Sequence, residues 1–272
     1  MSVLCGFVRS RRDKTVWLQA LLFDLDGTLA DTEAEGHRPA YNSAFKDLGL
    51  TWKWGPRLYR KLLSLPGGRE RVRHYVESYD PERGDQSVDE LVDAVHTAKS
   101  RHYARRLAKG KIPLRPGVRR LIEQAKAMGV KVAIVTNASH ASIEPFLSHA
   151  MGPDLVGKVD LVIGSEEAPA KKPAPDLYLM ALERLGVSAG RSLAIEDSDV
   201  GLQAARAAGL TTLVTVNSNT RSQVFDEAVL VVDSLGEADR PVEVLNSLGA
   251  DAGCHVIDVP FLNQLIEPEA DA

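Results

Sequence analysis

Only two cysteines, Cys5 and Cys254, occur in the 272 residues, one near each end, so no disulfide framework organises the chain; a reducing, cytoplasmic compartment is the expected setting. No apolar run approaches the roughly 20 residues needed to span a bilayer, so no membrane partner is expected. A positive excess is also missing: 33 Lys and Arg stand against 37 Asp and Glu, a net charge of −4. That balance offers no global attraction to nucleic acid or to an anionic lipid surface. The N-terminal segment carries Arg9, Arg11, Arg12 and Lys14 but has neither an apolar h-region nor a small-residue cleavage site, so residues 1–14 read as a flexible basic arm and not as a targeting peptide. What is present in quantity is ordinary: 44% hydrophobic and 26% charged residues, enough to bury a core in one large domain or two smaller ones.

One short stretch stands out from that background. The apolar run Trp17 to Phe23 ends in Asp24-Leu25-Asp26-Gly27-Thr28. A continuous apolar run reads as a strand buried on both faces in a parallel sheet, and open α/β sheets bind ligands outside the carboxyl ends of their strands. Two carboxylates one residue apart on extended backbone point to the same side. At about 4 Å they repel by roughly 4 kcal/mol at an effective dielectric of about 20, which favours a bound cation, with Mg²⁺ expected, or a shared proton. Asp, Gly and Thr are also common turn residues, so the stretch Phe23 to Thr28 alone admits a solvated turn.

The rest of the chain narrows the choice. From Glu33 to about Gly110 helical spacing recurs without a strand, in Ala40, Ala44, Phe45 and Leu48, then Leu58, Leu62 and Leu63, then Leu91, Val92, Val95 and Tyr103. Beyond Pro113 the pattern alternates: helix 117–128, strand 130–135, helix 139–149, strand 159–163, helix 175–185, strand 193–195, helix 200–208, strand 211–216 and a last strand 229–232. Alternation of this kind implies βαβ crossovers and a parallel sheet. The expected fold is α/β, a doubly wound parallel sheet of Rossmann-like type formed by residues 15–32 and 113–250, with an all-helical cap inserted at 33–112 and a C-terminal extension at 251–272. In that extension His255 to Val259 and Phe261-Leu262 form an apolar strip that packs on the core or pairs with a partner. Trp52 and Trp54 are expected in the cap core.

Polar groups collect where these strands end. Strand 130–135 runs into Thr136-Asn137, strand 193–195 into Glu196-Asp197, and Lys171-Lys172-Pro173 precedes the helix starting near Pro175. Taken singly, Thr136-Asn137 and Glu196-Asp197-Ser198 read as helix caps, and the lysine pair as solvated surface. Taken together they put acids, a hydroxyl and a cation at one edge of one sheet, where hydroxyl and N–H groups with a lysine suit a phosphate.

In order, Asp24-Leu25-Asp26-Gly27-Thr28, Thr136, Lys172 and Glu196-Asp197 resemble the four motifs of the haloacid dehalogenase superfamily, over roughly residues 18 to 237. Within it, Asp31-Thr32-Glu33 with Gly36-His37-Arg38 and the loop Gly67-Gly68-Arg69-Glu70-Arg71 look closest to the CbbY-type sugar-bisphosphate phosphatases, which act on xylulose 1,5-bisphosphate. Leu114-Arg115-Pro116-Gly117, Lys171 to Asp176 and Ile195 to Ser198 are shared with β-phosphoglucomutase and general sugar phosphatases. The resemblance implies Asp24 as nucleophile forming an aspartyl-phosphate and Asp26 as acid and base. It implies Thr136, the Asn137 backbone and Lys172 around the phosphoryl group, with Mg²⁺ held by Asp24, the Asp26 carbonyl, Glu196 and Asp197. Specificity is expected in the cap: Arg69 and Arg71 as a fork for a second phosphate or a carboxylate, and Glu33 and His37 on sugar hydroxyls. The expected partner is a small sugar phosphate, and the chain a monomer or weak homodimer. A phosphomutase, a broad monophosphatase and a non-catalytic binding module remain as alternatives.

Overall fold

Side-chain alternation along a few very short strands accounts for the sheet at the centre of the computed structural model, which describes residues 17–65, 67–79, 87–247 and 255–266. Cys5, Cys254, the basic arm and residues 251–254 and 267–272 of the C-terminal extension lie outside the described residues. Strands β1 (Ala20–Phe23), β2 (Lys131–Val135), β3 (Leu161–Ile163), β4 (Ser192–Glu196), β5 (Thr211–Thr215), β6 (Leu230–Val232) and β7 (Val244–Ser247) form one sheet in the order β3-β2-β1-β4-β5-β6-β7. β1 through β6 run parallel, and β7 joins β6 antiparallel.

Both faces of the parallel strands are covered. Leu21, Phe23, Val132, Ile134, Leu193 and Ile195 point to one side, onto helix α5 (Val118–Ala127) and the C-terminal helix. Ala20, Leu22, Ala133, Val135 and Ala194 point to the other, onto helices α8 (Asp176–Leu185) and α9 (Asp199–Ala207). A one-residue slip would exchange the two sets, so the register is fixed by packing. α5 buries Val118, Leu121, Ile122 and Ala125, spaced i, i+3, i+4, i+7, which is one stripe of an amphipathic helix.

The chain goes from β1 outward through β2 to β3 and then returns to β4 on the other side of β1. That reversal makes the crevice at the carboxyl ends of β1 and β4 the topological switch point, where ligands bind in open α/β sheets.

Between β1 and β2 the chain forms a π-helical turn, Thr32–His37, and helices α1 (Arg38–Asp47), α2 (Pro56–Leu62), α3 (Gly68–Tyr79) and α4 (Val88–Ala108). These helices enclose their own apolar cluster of Tyr41, Phe45, Trp52, Trp54, Tyr59, Leu62, Val72, Val76, Leu91, Val92 and Val95. Trp54 is wholly buried and Trp52 nearly so, each in edge contact with Phe45, so both tryptophans serve packing. The helical layer is tied to the sheet from two directions. Ala40, Tyr103, Leu107 and Ile112 pack into the cluster beneath the sheet, and Arg60 Nη2 donates to the Ser218 carbonyl at 3.1 Å.

Periodicity does not mark β7, the C-terminal helix, or the short helix α7 (Pro153–Val156) that follows α6 (His140–Phe146). β7 has four residues with only two apolar ones, too few for a pattern. Helix α10 (Val259–Leu265) starts at Asp258, whose Oδ1 accepts the Phe261 N–H at 2.8 Å, and buries Val259 and Leu262 against the core. The apolar strip of the extension therefore packs on its own chain; Ile257 is fully buried beside it.

The loops at the carboxyl edge are held by one side chain that the sequence motifs did not single out as functional. Arg115, buried, donates from Nη1 to the carbonyls of Gly27 and Thr215 and to Thr215 Oγ1, and from Nη2 to the carbonyls of Val216 and Asp233. A planar fork reaches acceptors on three loops at once; a lysine ammonium cannot. Arg115→Lys is expected to lose roughly 2–4 kcal/mol of stability, because several buried carbonyls lose their donors, read as a fall in the urea midpoint.

Candidate active site

Each strand end delivers its polar group to the switch-point crevice. Asp24 follows β1, Thr136 follows β2, and Glu196 and Asp197 close β4. Lys172, from the loop before α8, reaches across to join them: its Nζ donates to Asp24 Oδ1 at 2.8 Å, to Glu196 Oε1 at 2.7 Å and to the Val135 carbonyl at 2.7 Å. All of these side chains are buried. Tyr178 of α8 adds an O–H donated to the same Glu196 oxygen at 2.6 Å, and its ring lies 4.8 Å from the Lys172 ammonium.

The glycines here are required by close approach. Gly27 has φ +99°, and a Cβ there would come within 2.2 Å of Asp197 Oδ2. A Cβ on Gly201, in the first turn of α9, would meet Glu196 Oε2 at 1.9 Å. Both carboxylates thus occupy space that any other residue would fill.

The electrostatics are crowded. Burial, with Glu196 and Asp26 nearby, pushes the Asp24 carboxyl up to about 7 against the pull of Lys172. Burial and the neighbouring Asp24 and Glu196 charges push Asp197 well above the usual carboxylate range. Burial opposes the Lys172 charge, yet the two carboxylates outweigh it and hold the ammonium above its ordinary value. Asp24, Glu196 and Asp197 offer oxygen ligands within 4.8 Å of one another. An all-oxygen set whose members resist sharing negative charge fits a hard divalent cation such as Mg²⁺. A second group, His140, Glu166 and Glu167, also comes together, but on the surface. There the Glu166 carboxylate accepts the His140 N–H and Glu167 Oε2 accepts the Gly164 N–H at 2.6 Å, which accounts for the acids as caps of a loop and a helix start.

Asp26 faces the helical layer instead. Its Oδ1 accepts the Thr32 hydroxyl at 2.5 Å and lies 3.3 Å from His37 Nε2, while no hydrogen bond among the described residues reaches Oδ2. Burial raises this carboxyl, but the His37 and Thr32 contacts prevail and hold it below its usual value. The two aspartates of the motif therefore differ in state because they differ in neighbours.

The expected cap residues divide. His37 is buried, stacked on Tyr103 at 4.1 Å between ring centroids, and reaches Asp26; this is a tighter role than binding a sugar hydroxyl. Glu33 has both oxygens engaged, one by Arg71 Nη1 at 3.3 Å and one by the Tyr59 hydroxyl. Arg71 also donates from Nε to the Leu65 carbonyl at 3.1 Å. Arg69 does not join Arg71 in a fork. It is exposed and pairs with Asp93 of α4, because residues two apart on α3 are separated by about 200° around the helix. Asn137 follows Thr136 at the end of β2. Its side chain accepts the Lys172 N–H at 2.9 Å and donates to the Lys172 carbonyl at 3.1 Å, so it fixes the lysine's main chain. Thr136 Oγ1 accepts the Ala138 N–H at 3.0 Å, which leaves its hydroxyl hydrogen to donate.

Lys99 was not anticipated. It lies on the buried stripe of α4 with Leu91, Val92, Val95 and Tyr103, and a lone charge on an apolar stripe is the signal that points to it. Its ammonium lies 5.5 Å from the Tyr41 ring centroid and 5.3 Å from that of Tyr103. Burial brings it down to about 8, although Glu33 and Asp26 pull it upward.

A model of the haloacid dehalogenase-like hydrolases matches residues 18–209. CbbY of Cupriavidus necator, plasmid-borne, is 47% identical over 83% of this chain and 89% of its own length. CbbY of Rhodobacter capsulatus is 39% identical over 81% of this chain and 95% of its own. The chain belongs to the haloacid dehalogenase-like hydrolases. Among solved structures, CbbY of Rhodobacter sphaeroides in complex with phosphate superposes with a TM-score of 0.72 and 36% identity, covering 80% of this chain and 94% of that one. A mutant of that protein, matched at the same TM-score with 35% identity, was solved with xylulose-(1,5)bisphosphate. The chain is thus a CbbY-type hydrolase and a phosphatase. No described helix is long and apolar enough to cross a membrane.

The position of Lys99 has a consequence for stability. Its folded pKa of about 8 lies below the ordinary 10.5, so between those values the unfolded chain holds more protons and stability rises with pH. Lys99→Met should therefore stabilise the protein by about 1–3 kcal/mol at pH 7 while lowering activity, and the gain should fade as pH rises from 8 toward 10.5. Urea midpoints of both proteins at pH 7 and pH 10 measure it.

Proposed function

We propose that the chain is a Mg²⁺-dependent phosphatase acting on a sugar bisphosphate, xylulose 1,5-bisphosphate first, through a phosphorylated Asp24. The observation that carries the reading is the buried Lys172 ammonium, held at 2.8 Å from Asp24 Oδ1 at the switch-point crevice. Lys172 keeps one Asp24 oxygen oriented and neutralises charge where a phosphoryl group would arrive, and preorganised charge is usually the largest catalytic contribution.

In this reading Asp24 attacks phosphorus as its leaving oxygen takes a proton from Asp26, and water then cleaves the aspartyl-phosphate while Asp26 takes a proton back. The low pKa of free Asp26 fits the second half directly. For the first half, the negative charge of an incoming phosphate raises a neighbouring carboxyl, and Oδ2 is the oxygen left to carry the proton. The Thr136 hydroxyl is free to donate to a phosphoryl oxygen. Asp24, Glu196 and Asp197 would hold Mg²⁺, which supplies further neutralisation of the transferring group when bound.

The helical layer, residues 33–112, serves as the cap that selects substrate. Arg71 and Lys99 supply its inward positive charge in place of the expected Arg69 and Arg71 pair, and this suits a second anionic group on the sugar. The bisphosphate bound by a mutant CbbY is of that chemistry.

Phosphate release should be measured with Mg²⁺ from xylulose 1,5-bisphosphate, ribulose 1,5-bisphosphate, β-glucose 1-phosphate and simple monophosphates, for the wild type and Asp24→Asn. The expected result is selectivity for the xylulose compound and a loss on the order of 10³-fold or more in the variant. Isomerised sugar phosphate without net phosphate release would make the enzyme a mutase, and an even spread over monophosphates would overturn the substrate assignment.

A further inference from the structure

We propose that Asn217 is a positioning residue of the cation site, its side-chain amide selecting which oxygen Asp197 turns toward Asp24. The inference rests on the reading that Asp24, Glu196 and Asp197 hold a divalent cation.

Asn217 follows β5, in a loop that carries none of the sequence motifs. Its own orientation is set by the backbone: Oδ1 accepts the Asn219 N–H at 2.8 Å, and its main-chain N–H goes to Thr220 Oγ1 at 3.1 Å. The amide nitrogen must then face the opposite way. Nδ2 donates to Asp197 Oδ2 at 2.6 Å and lies 3.4 Å from the Gly27 carbonyl. No other hydrogen bond to the Asp197 carboxylate is present among the described residues.

Asp197 Oδ2 is enclosed on its far side as well, since a Cβ on Gly27 would lie 2.2 Å from this oxygen and 2.7 Å from Asn217 Nδ2. Oδ2 is therefore used up by the amide and the glycine, and Oδ1 is the oxygen that remains for a cation. Without the amide, a carboxylate packed beside two others has reason to rotate away from them. The loop itself cannot drift. Arg115 binds the carbonyls of Thr215 and Val216, and Arg60 from the helical layer binds that of Ser218, so Asn217 is gripped on both sides. Groups that orient a metal ligand from behind typically matter by 10- to 100-fold in metal affinity.

The test is calorimetric titration of the metal-stripped full chain with Mg²⁺, for the wild type, Asn217→Leu and Asn217→Ala. Leu keeps the volume without a donor, and Ala removes both; if one fails to fold, the other decides. The expected result is a Kd for Mg²⁺ raised about 10-fold or more in the folded variant. The Mg²⁺ concentration for half-maximal turnover should rise in parallel, with KM for the sugar phosphate at saturating Mg²⁺ unchanged. A purely structural role would lower the metal-free melting temperature and leave the Mg²⁺ affinity alone, and that result overturns the inference. A wild type that takes up no Mg²⁺ would overturn the cation reading beneath it, so the two failures are distinguishable.

Discussion

A single buried ammonium, that of Lys172, makes the carboxyl edge of this sheet possible. Asp24, Glu196 and Asp197 are buried and offer oxygens within 4.8 Å of one another, where like charges repel. Lys172 relieves two of the three at once, and the Val135 carbonyl takes its third proton. The arrangement is costly without a further positive charge, as the raised Asp24 and Asp197 carboxyls show. Oxygen ligands crowded in this way could hold a cation, which would offset their repulsion.

Around that centre, side chains on other elements do the placing. Asn137 pairs with both main-chain groups of Lys172, and Tyr178 holds Glu196 from behind. Arg115 ties the Gly27 loop to the ends of β5 and β6, so that three loops move as one. The flexible lysine side chain therefore meets its partners without a search, which is the structural meaning of preorganisation.

The helical layer is joined to the chemistry through Asp26. Thr32 and His37 fix one oxygen of this carboxylate, His37 stacks on Tyr103, and Tyr103 lies under Lys99. Glu33 draws α2 and α3 together by way of Tyr59 and Arg71. A displacement of the layer would disturb the partners of Asp26 while leaving the Asp24–Lys172 contact inside the sheet, so the two aspartates answer to different parts of the structure.

The sequence by itself determined the architecture and the polar set that meets at the carboxyl edge of the sheet. Short continuous apolar runs alternating with helical patterns imply the strands of a doubly covered sheet, and Asp24, Thr136, Lys172, Glu196 and Asp197 each sit directly beyond such a run or in a nearby loop. β7 was not legible, since four residues with two apolar ones carry no period, and α10 announced itself only through an Asp cap before a proline. Tertiary structure alone decided which way the side chains turn. That Arg69 faces solvent while Arg71 faces Glu33 depends on the rotation of α3 against its neighbours. That Arg115 and Lys99 are buried and that the half-buried Asn217 reaches Asp197 and Gly27 depends on elements up to 190 residues apart in the chain. Periodicity reports the face a residue occupies; it holds no information about which distant group waits there.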